Sequence, residues 1–569
     1  VHKLLLVSIN AERPTDRDSF KFKRVEVPGA LMFNLFRTYY NAHADNVRLK
    51  LDKKIKYGRD RNEFVGTQIM QVITADNYNE IFGERLIEAG FKKSFKGKWA
   101  ATVQTDDKSK LYKGTIGATD GTEVEGIVQD LNRLSYNSFI SHLRKVNLPM
   151  DASAKVSGPR QLHGSQWGII DPADSPDGGN IGLQKHLAIS AYVTQPCSAL
   201  PIIQWLRELA TMKLLEECSP TYLHQLTKVF VNGAWVGALG NPREVVRLFL
   251  LHRRNALIPI YTSGRWDIAH NELQFFTDGG RLCRPVFYYD EDARRPSYAS
   301  REAIETIKGG NYTWSQLITG FAKKSVPVLD PCRVYRIGEL YAGATDFSAL
   351  VASRAIVEYL DTNESESAFV AMFPRNVVPG KTTHVEIHPS LIFGVMGNQI
   401  VFPENNPSSR NNFSCAQGKQ AVSLYSSNFA SRIDKMGVVL NYGQVPLVKS
   451  RYMKYINNEQ HPYGENAIVA IMCYNGYNVE DSILFNEGSL KRGLFRTTYY
   501  NMYETREEEE RTYDKRICNV QAQPGVRGLK PGGDYSALDR HGLIAENTEM
   551  DDKKAVIGRV TEQWTISGG

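Results

Sequence analysis

Two adjacent carboxylates, Glu480 and Asp481, stand in a polar segment between two apolar runs. The first run, Ala467–Cys473, is continuous and predicts a strand buried on both faces. Asn475-Gly476 breaks that run and predicts a tight turn. Carboxylates held rigidly at a strand end can bind Mg²⁺ directly or through its water molecules, and such a metal can align a triphosphate for in-line attack. Read alone, a Glu-Asp pair is far more often an ordinary surface feature.

A second polar segment carries groups that suit a nucleotide and its phosphates. Arg410 has a planar guanidinium that can bind a phosphate through two parallel hydrogen bonds. Phe413 can stack on a base or sugar, and Lys419 can meet a backbone phosphate. Gly418-Lys419 is not a P-loop, because the upstream glycine spacing and the following Ser or Thr are absent. Taken alone, this segment predicts a polar loop ahead of a helix.

A third candidate is the stretch His384-Val385-Glu386-Ile387-His388, whose alternation places three polar side chains on one strand face. The H-x-E spacing is that of zinc deaminases, but their P-C-x-x-C partner is missing, since Pro331-Cys332 is followed by Arg333. The sequence offers no third ligand cluster. Hydrogen-bonded structural histidines are therefore preferred to a metal site.

Length and composition limit the class of protein. At 569 residues the chain exceeds the roughly 250–300 residues that one hydrophobic core accommodates, so several units are expected. The net charge of +7 permits a nucleic-acid partner without requiring one. Seven dispersed cysteines, none in a C-x-x-C pair, predict reduced thiols and no structural zinc in this stretch. The longest apolar runs are far shorter than a membrane helix. The absent initiator Met and the apolar start predict an internal fragment.

Local patterns predict the elements around these groups. Apolar residues at helical spacing predict a helix within residues 131–145. Residues 225–290 are predicted to be β-rich, with a hairpin turn at Asn232-Gly233. A further helix is predicted to begin near Thr313, because Gln316 completes a capping box ahead of an apolar stretch.

The chain resembles, along nearly its whole length, the second-largest, β-like subunit of multisubunit DNA-directed RNA polymerases. Its segments follow one another in the same order as in that subunit. No single motif carries the resemblance. The segments that carry it are Thr15–Ser19 through Lys23-Arg24, Pro159–His163, Trp167-Gly168, Ser175–Gly178, Val229–Trp235, Phe276–Arg281 with Arg284-Pro285, Thr383–Ser390, Gly418–Ala421, Asn466–Ala470 through Glu480–Ser482, and Arg492–Arg496.

The resemblance implies a multidomain α+β architecture. Its implied parts are a helical and basic lobe or protrusion remnant at 1–115, a fork at 116–195, external region 1 at 196–345, external region 2 at 346–398, a hybrid-binding core at 399–499, and the start of a wall-like domain at 500–569.

The resemblance also implies roles for the candidate residues. Glu480 and Asp481 match the acidic pair that helps to place the second, nucleotide-borne Mg²⁺, and the implied contact is indirect, through water. Arg410 matches an arginine that contacts the incoming triphosphate, and Phe413 stands where related enzymes carry an aromatic residue, often Tyr. The other matched positions are Arg160 and Gln161 near the nucleotide and RNA end, Lys419 and Gln420 facing the RNA of the hybrid, and the loop Leu148–Gly158 beside downstream DNA.

Asp177 departs from the family's Thr-Pro-Glu-Gly pattern, in which the Glu carboxylate pairs with the residue matching Arg410. Asp reaches about 1–1.5 Å less far than Glu. A misplacement of about 1 Å can cost on the order of 10² in rate at a reacting centre. A local backbone shift or a water molecule is therefore expected to restore the Asp177–Arg410 contact.

The function that the resemblance implies is exerted within a complex. The chain would be a subunit of DNA-directed RNA polymerase, a nucleotidyltransferase, and inert alone. Its implied partners are the largest subunit, smaller subunits, the DNA template, the RNA–DNA hybrid and NTPs, with no membrane. Mg²⁺ is the implied cofactor, and its primary ion is held by the largest subunit.

Two other interpretations stay open. A non-catalytic nucleic-acid-binding scaffold derived from such a subunit would have lost the acidic pair and Arg410, both of which are present. An independent two-metal nuclease would need further carboxylates beside Glu480 and Asp481. The chain resembles the eukaryotic-like type of this subunit more than the bacterial type, and Trp167–Asn180 resembles the versions in large nucleocytoplasmic DNA viruses. An intracellular location is expected, in the nucleus of a cell or, for a virus, in the host cytoplasm, viral factory or virion.

Overall fold

The computed structural model describes residues 2–60, 72–83, 85–100, 102–104, 111–113, 123–124, 126–310, 313–320, 350–351, 354–510 and 513–563. The chain divides into two compact units. The first unit takes residues 1–132, 137–420 and 448–457, and the second takes 133–136, 421–447 and 458–569. No helix in these described ranges is long and apolar enough to cross a membrane.

Helices and strands are mixed along the chain, which confirms the predicted α+β class. In the described ranges the helices are α1 (His2–Ser8), α2 (Pro28–Asp60), α3 (Tyr78–Phe82), α4 (Leu86–Phe95), α5 (Tyr136–Leu143), α6 (Leu200–Glu208), α7 (Pro220–Leu223), α8 (Pro242–Arg254), α9 (Arg301–Lys308), α10 (Trp314–Thr319), α11 (Thr362–Ser365), α12 (Ser408–Gln420), α13 (Tyr452–Tyr455) and α14 (Glu487–Lys491).

The strands are short and form several separate sheets. They are β1 (Trp99–Ala100), β2 (Thr102–Gln104), β3 (Leu111–Lys113), β4 (Glu123–Val124), β5 (Lys145–Asn147), β6 (Gln184–His186), β7 (Tyr192–Val193), β8 (Lys213–Leu214), β9 (Thr227–Val231), β10 (Ala234–Leu239), β11 (Ser263–Asp267), β12 (Glu272–Phe276), β13 (Leu282–Asp290), β14 (Arg295–Pro296), β15 (Val357–Asp361), β16 (Val370–Ala371), β17 (His384–Val385), β18 (Met436–Leu440), β19 (Thr497–Asn501), β20 (Glu508–Glu509), β21 (Tyr513–Ile517) and β22 (Arg559–Gln563).

The first unit contains a five-stranded sheet in the order β11-β12-β9-β10-β8. The predicted hairpin joins β9 and β10, and Asn232 and Gly233 have φ of 50° and 82°, as a type I′ turn requires. Helix α8 lies inside the stretch predicted to be β-rich and was not predicted. Its buried residues Val245, Phe249 and His252 recur at helical spacing, and Phe249 packs with Phe275 of β12.

The second sheet of the first unit is centred on β13, which pairs antiparallel with β7, β14, β15 and β17, while β16 pairs with β17. Its core includes Cys283 and Tyr359. Helix α10 begins directly after Thr313, whose backbone N–H donates to Gln316 Oε1 at 3.1 Å, so the predicted capping position is confirmed. Phe321, in the apolar stretch that follows Gln316, and Pro331-Cys332 lie outside the described residues.

The N-terminal part of the first unit is mainly helical over its described residues up to Phe95, but the stretch predicted to be helical, 1–115, also contains the short strands β1, β2 and β3. Helix α2 is 33 residues long and packs through Leu35, Tyr39 and Ala42 against Trp99. The helix predicted within residues 131–145 is also present, as the shorter α5.

The second unit pairs β18 with β19 and forms a three-stranded sheet from β20, β21 and β22. Its buried apolar side chains include Val439, Leu440, Val520 and Leu538. This unit is rich in loops, and many of its apolar residues are exposed.

The strand predicted at Ala467–Cys473 is absent, and that prediction was wrong. The segment has no regular secondary structure, and Ile468 and Ile471 are 103% and 98% exposed. The second apolar run is exposed as well, at Ile483 and Phe485. An apolar pattern shows that a run favours burial, but the described residues provide no strand or helix that covers it.

Candidate functional site

Helix α12 carries two of the five predicted nucleotide-binding residues, Arg410 and Phe413, and both predicted RNA-facing residues, Lys419 and Gln420. The segment was predicted to be a polar loop, and the structure corrects this to a helix of 13 residues. The helix begins after Pro407 and buries Asn411 and Cys415, with Cys415 packed in a small cluster with Ala173 and Met396. The buried stripe is too narrow and too polar for the apolar periodicity that marks an amphipathic helix.

One face of α12 is exposed. Arg410, Phe413 and Gln420 all lie on it, because residues three and ten positions apart share a helix face. The Arg410 guanidinium carbon lies 5.8 Å from the centre of the Phe413 ring. This face therefore presents together a cation that can bind a phosphate, an aromatic ring that can stack on a base, and an amide.

The opposite face of α12 contacts the Asp171–Asn180 loop. Lys419 Nζ donates to Asp174 Oδ1 at 2.6 Å, and the Asp174 side chain is 3% exposed. Lys419 and Gln420 were predicted to face the same RNA, but they point to different sides of the helix. The Lys419 ammonium is held by a buried carboxylate, whereas Gln420 is exposed.

Asp171 anchors the start of this loop to a neighbouring segment. Its carboxylate accepts hydrogen bonds from the backbone N–H groups of Ala173, Gly394 and Gly397 at 2.8–3.2 Å. Burial, reinforced by the charge of nearby Asp174, raises the pKa of Asp171 from its ordinary 3.8 to about 6, although the three N–H donors oppose this shift.

The pKa of Asp171 predicts a pH-dependent stability. Because the folded-state pKa exceeds the unfolded value, folding favours the protonated acid. This contribution is fully present below pH 3.8 and is lost as the pH rises through 6, and the whole shift corresponds to about 3 kcal/mol. Between pH 4 and pH 7 the wild type should therefore lose a comparable free energy of unfolding, whereas Asp171→Asn should not. Urea titrations should show the variant's free energy of unfolding rising relative to that of the wild type over this range. A difference that is independent of pH would contradict this prediction.

Arg160 lies between two loops of the predicted fork. Its Nη1 donates to the carbonyls of Gly179 and Ile181 at 2.6 and 3.1 Å, and its Nη2 donates to those of Ala152 and Ala154 at 2.9 and 3.1 Å. The guanidinium therefore joins the predicted downstream-DNA loop, Leu148–Gly158, to the loop that carries Asp177. Gln161, the adjacent predicted residue, is exposed.

The backbone at Gly182 lies so close to the backbone at Arg160 that only a glycine fits there. Gly182 has φ of +70°, and a Cβ built on it would lie 2.1 Å from the Arg160 carbonyl oxygen. Any other side chain would push the two segments apart.

Asp177 and Arg410 are both exposed, and no hydrogen bond or ion pair joins them in this description of the first unit. A direct contact, one of the two ways in which the sequence was expected to restore the pairing, is thus not formed. A water-mediated contact stays a prediction.

Glu480 and Asp481 lie in the second unit, in a turn at Val479–Ser482 that we call the acidic turn. Ser482 N donates to Val479 O at 3.3 Å, and Glu480 has φ of 59°. A non-glycine residue in this left-handed region costs about 1–2 kcal/mol, and such strain persists where the surroundings impose it. Both carboxylates are exposed and have no side-chain partner among the residues described here.

The segment before the acidic turn is shaped by a second turn and by Asn478. The turn predicted at Asn475-Gly476 is confirmed, with φ of 49° and 80°. Asn478 Oδ1 accepts from Tyr474 N at 3.1 Å, and its Nδ2 donates to Met472 O at 2.7 Å. The acidic pair is therefore placed by local hydrogen bonds and not by flanking strands.

The histidines of the 384–388 stretch are hydrogen-bonded to protein groups, as the preferred interpretation predicted. His384 Nε2 lies 2.8 Å from Glu358 Oε1, and His388 Nδ1 lies 2.6 Å from Ser390 Oγ. Glu386 accepts from Arg284 at 2.7 Å. Strand β17 covers only the first two residues, so the predicted shared strand face is not formed. In the described ranges no group of three or more His, Cys, Asp or Glu could hold a metal ion.

Sequence reasoning missed Asp171, Asp174 and Asn412. Asp171 and Asp174 stand within Trp167–Asn180, but nothing in that pattern indicated that Asp171 accepts from the backbone of Gly394 or that Asp174 has a partner in α12. The spacing of Asn412, Cys415 and Lys419 at i, i+3 and i+7 was the available signal, and it was hidden by reading the segment as a loop.

Four family models match successive parts of the chain, in the order of their domain numbers. Family models for RNA polymerase Rpb2 match as domain 3 at residues 129–193, domain 4 at 229–290, domain 5 at 347–389 and domain 6 at 396–567. The chain belongs to the family of second-largest subunits of multisubunit DNA-directed RNA polymerases, as the sequence predicted.

Individual relatives agree with this assignment. The chain is 33% identical to DNA-directed RNA polymerase II subunit 2 of Arabidopsis thaliana, over 99% of this chain and 43% of that protein. It is 32% identical to subunit RPB2 of Encephalitozoon cuniculi, over 99% and 44%, and 28% identical to subunit Rpo2 of Sulfolobus acidocaldarius, over 99% and 44%. The chain thus spans less than half the length of these relatives.

Proposed function

We propose that this chain supplies part of the nucleotide-binding and hybrid-binding surface of a DNA-directed RNA polymerase, which transfers a nucleotidyl group from an NTP to an RNA 3′ end and releases pyrophosphate. The observation that carries the proposal is the ordered match to polymerase subunits over 99% of the chain. The chain would act only within a complex and be inert alone, because the primary catalytic Mg²⁺ is proposed to be held by the largest subunit.

The exposed face of α12 would bind the incoming nucleotide. Arg410 would hold the triphosphate through paired hydrogen bonds, Phe413 would lie beside the base or sugar, and Gln420 would meet the RNA. Asp177 would orient Arg410 through water. Gln161 is exposed in the fork and free to lie near the RNA end.

Mg²⁺ is the proposed cofactor, with the primary ion held by the largest subunit. Glu480 and Asp481 fit a role toward a second, nucleotide-borne ion, because exposed carboxylate oxygens without protein partners suit a hard cation that retains its waters. The ion would neutralise triphosphate charge. The contribution of the chain would be electrostatic and positional, without a covalent intermediate on the protein.

The proposed partners are the largest and smaller polymerase subunits, the DNA template, the RNA–DNA hybrid and NTPs. The proposed location is intracellular, in the nucleus for a cellular protein, or in the host cytoplasm, viral factory or virion for a viral one.

Replacing Arg410 by Lys tests the proposed nucleotide contact. In a polymerase reconstituted with the full-length subunit, Arg410→Lys should raise the KM for NTP roughly tenfold, since losing one charge-assisted hydrogen bond costs about 1.5 kcal/mol. The measurement is single-nucleotide addition on a primed template.

Arg375→Lys is the matched control, because Arg375 is also exposed and lies 4.7 Å from a phenylalanine ring, that of Phe373, but is outside the proposed site. Its KM should equal that of wild type. A wild-type complex that binds the primed template but never extends it would instead support the scaffold alternative.

A further inference from the structure

Two side chains of the first unit, Asn412 and Asp174, join α12 to the Asp171–Asn180 loop through partly buried polar contacts. Asn412 uses both amide hydrogens, donating to Ala173 O at 2.9 Å and to Ser175 O at 2.8 Å. These carbonyls belong to the residues on either side of Asp174. The amide therefore binds the loop on both sides of the carboxylate that accepts from Lys419.

The second attachment is a small network around Asp174. Lys419 Nζ donates to Asp174 Oδ1 at 2.6 Å and lies 3.2 Å from His186 Nε2, while His186 Nδ1 lies 3.0 Å from the Asp174 carbonyl oxygen. One tautomer satisfies every contact: neutral His186 donates from Nδ1 and accepts at Nε2. Burial also lowers the pKa of His186, which favours this neutral form.

Two attachments restrict the orientation of α12 more than a single attachment could. Asn412 and Lys419 are seven residues apart, which is about 10.5 Å along the helix and nearly two full turns. A single attachment leaves a helix free to pivot, whereas two on one face restrict both its rotation and its axial position. Arg410 and Phe413 lie on the other face, so their positions follow from these bonds.

We propose that Asn412 and Asp174 are positioning residues, which hold α12 against the Asp171–Asn180 loop and so set where Arg410 and Phe413 meet the nucleotide. The same bonds hold the backbone at Ser175, two residues before Asp177. This inference rests on the proposed function and deepens it. Neither side chain needs to touch the nucleotide.

The size of the effect follows from geometry. A guanidinium about 6–8 Å from the helix axis moves by about 1 Å when the helix rotates by roughly 10°. A displacement of that size can cost on the order of 10² at a reacting centre. A neutral role in packing would lower stability without changing how the enzyme responds to NTP concentration.

The test uses polymerase reconstituted with the full-length subunit and measures KM and kcat for single-nucleotide addition. Asn412→Asp keeps the shape but removes both donors, and it should raise the KM for NTP by roughly tenfold or more. Asp174→Asn, which removes the charge opposite Lys419, should raise it in the same direction. Asn412→Gln keeps both donors and should recover part of the wild-type KM.

Asn411→Ala is the matched control, because Asn411 is a buried neighbour on the same helix whose amide donates to Pro403 O at 2.9 Å and not to the loop. It should lower thermal stability and leave KM close to wild type. If Asn411→Ala and Asn412→Asp change KM equally, or if both Asn412→Asp and Asp174→Asn leave it unchanged, the positioning role is wrong.

Hydrogen exchange provides a second measurement that does not depend on activity. Asn412→Asp should speed exchange of the loop amides at 173–182 in the assembled complex, while Asn411→Ala should not. Unchanged exchange there would overturn the inference. A wild-type complex that makes no RNA would refute the proposed function instead, so the two failures are distinguishable.

Discussion

A polymerase assembled with Glu480→Gln and Asp481→Asn together should extend RNA on the order of 10² times more slowly than wild type, with its subunits fully assembled. Removing one group that stabilises developing charge in a transition state typically lowers kcat by about 10²–10³, and the carboxylate pair would act on that charge through the metal ion. Both carboxylates are exposed and lack partners among the described residues, so their loss should not lower the free energy of unfolding.

The measurement is the elongation rate on a primed template at several NTP and Mg²⁺ concentrations. Higher Mg²⁺ should recover part of the lost rate, because the proposed role of the pair is to help place the nucleotide-borne ion. Glu487→Gln is the control, since Glu487 is an exposed acid six residues further on whose contact is a surface ion pair with Lys491 at 2.6 Å. Normal elongation by the double variant would rule out the assigned role.

The largest loss of stability is expected at Arg253, a guanidinium that is 2% exposed between two carboxylates. Its Nη1 donates to both oxygens of Glu364 at 2.8–2.9 Å and to Thr262 O at 2.8 Å, and its Nη2 donates to Glu358 at 3.2 Å. Arg253→Met leaves the Glu364 charge buried without its partner. Breaking a buried pair in this way costs about 3–5 kcal/mol.

Urea unfolding of the full-length subunit, followed by the fluorescence of buried Trp205, would measure this loss. The control is Arg247→Met on the same helix, whose ion pair with Asp292 is largely exposed and should contribute at most about 1 kcal/mol. Similar midpoints for the two variants would contradict the prediction.

The loss at Arg253 should also depend on pH. Burial raises the pKa of Glu364 to about 7, against the attraction of Arg253, and removing that attraction raises it further. In the wild type, folding stops taking up a proton at Glu364 above about pH 7. In the variant this uptake, and the stability that it costs as the pH rises, continues to a higher pH. The destabilisation of the variant should be larger at pH 8.5 than at pH 6, and equal values at the two pH values would exclude this explanation.

Predictions from sequence were confirmed for features that depend on interactions within a few residues of the chain. The Asn232-Gly233 hairpin, the start of α10 at Thr313 and the turn at Asn475-Gly476 each depend on backbone angles or hydrogen bonds within a few residues. The family assignment held for a different reason, because it rests on many short segments in a fixed order and does not require any one element to be predicted correctly.

Predictions from sequence were wrong for segments whose structure depends on a partner far away in the chain. The Ser- and Asn-rich composition of α12 favours a loop, and the helix forms where Asn412 and Cys415 find partners in the loop near residue 173. Ala467–Cys473 has the composition of a buried strand, but a strand forms only where another segment supplies hydrogen bonds along its edge.

The sequence by itself determined the family and the chemical groups that we propose for nucleotide binding. Only the tertiary structure decided which of those groups are exposed and which are already bound to other parts of the protein. Lys419 pairs with an aspartate 245 positions earlier in the chain, and Arg160 is occupied by four backbone carbonyls, whereas Arg410 is left exposed. The physical reason is that the partner of a charged side chain is chosen by whatever polar group folding brings within about 3 Å of it, and local spacing carries no record of that choice.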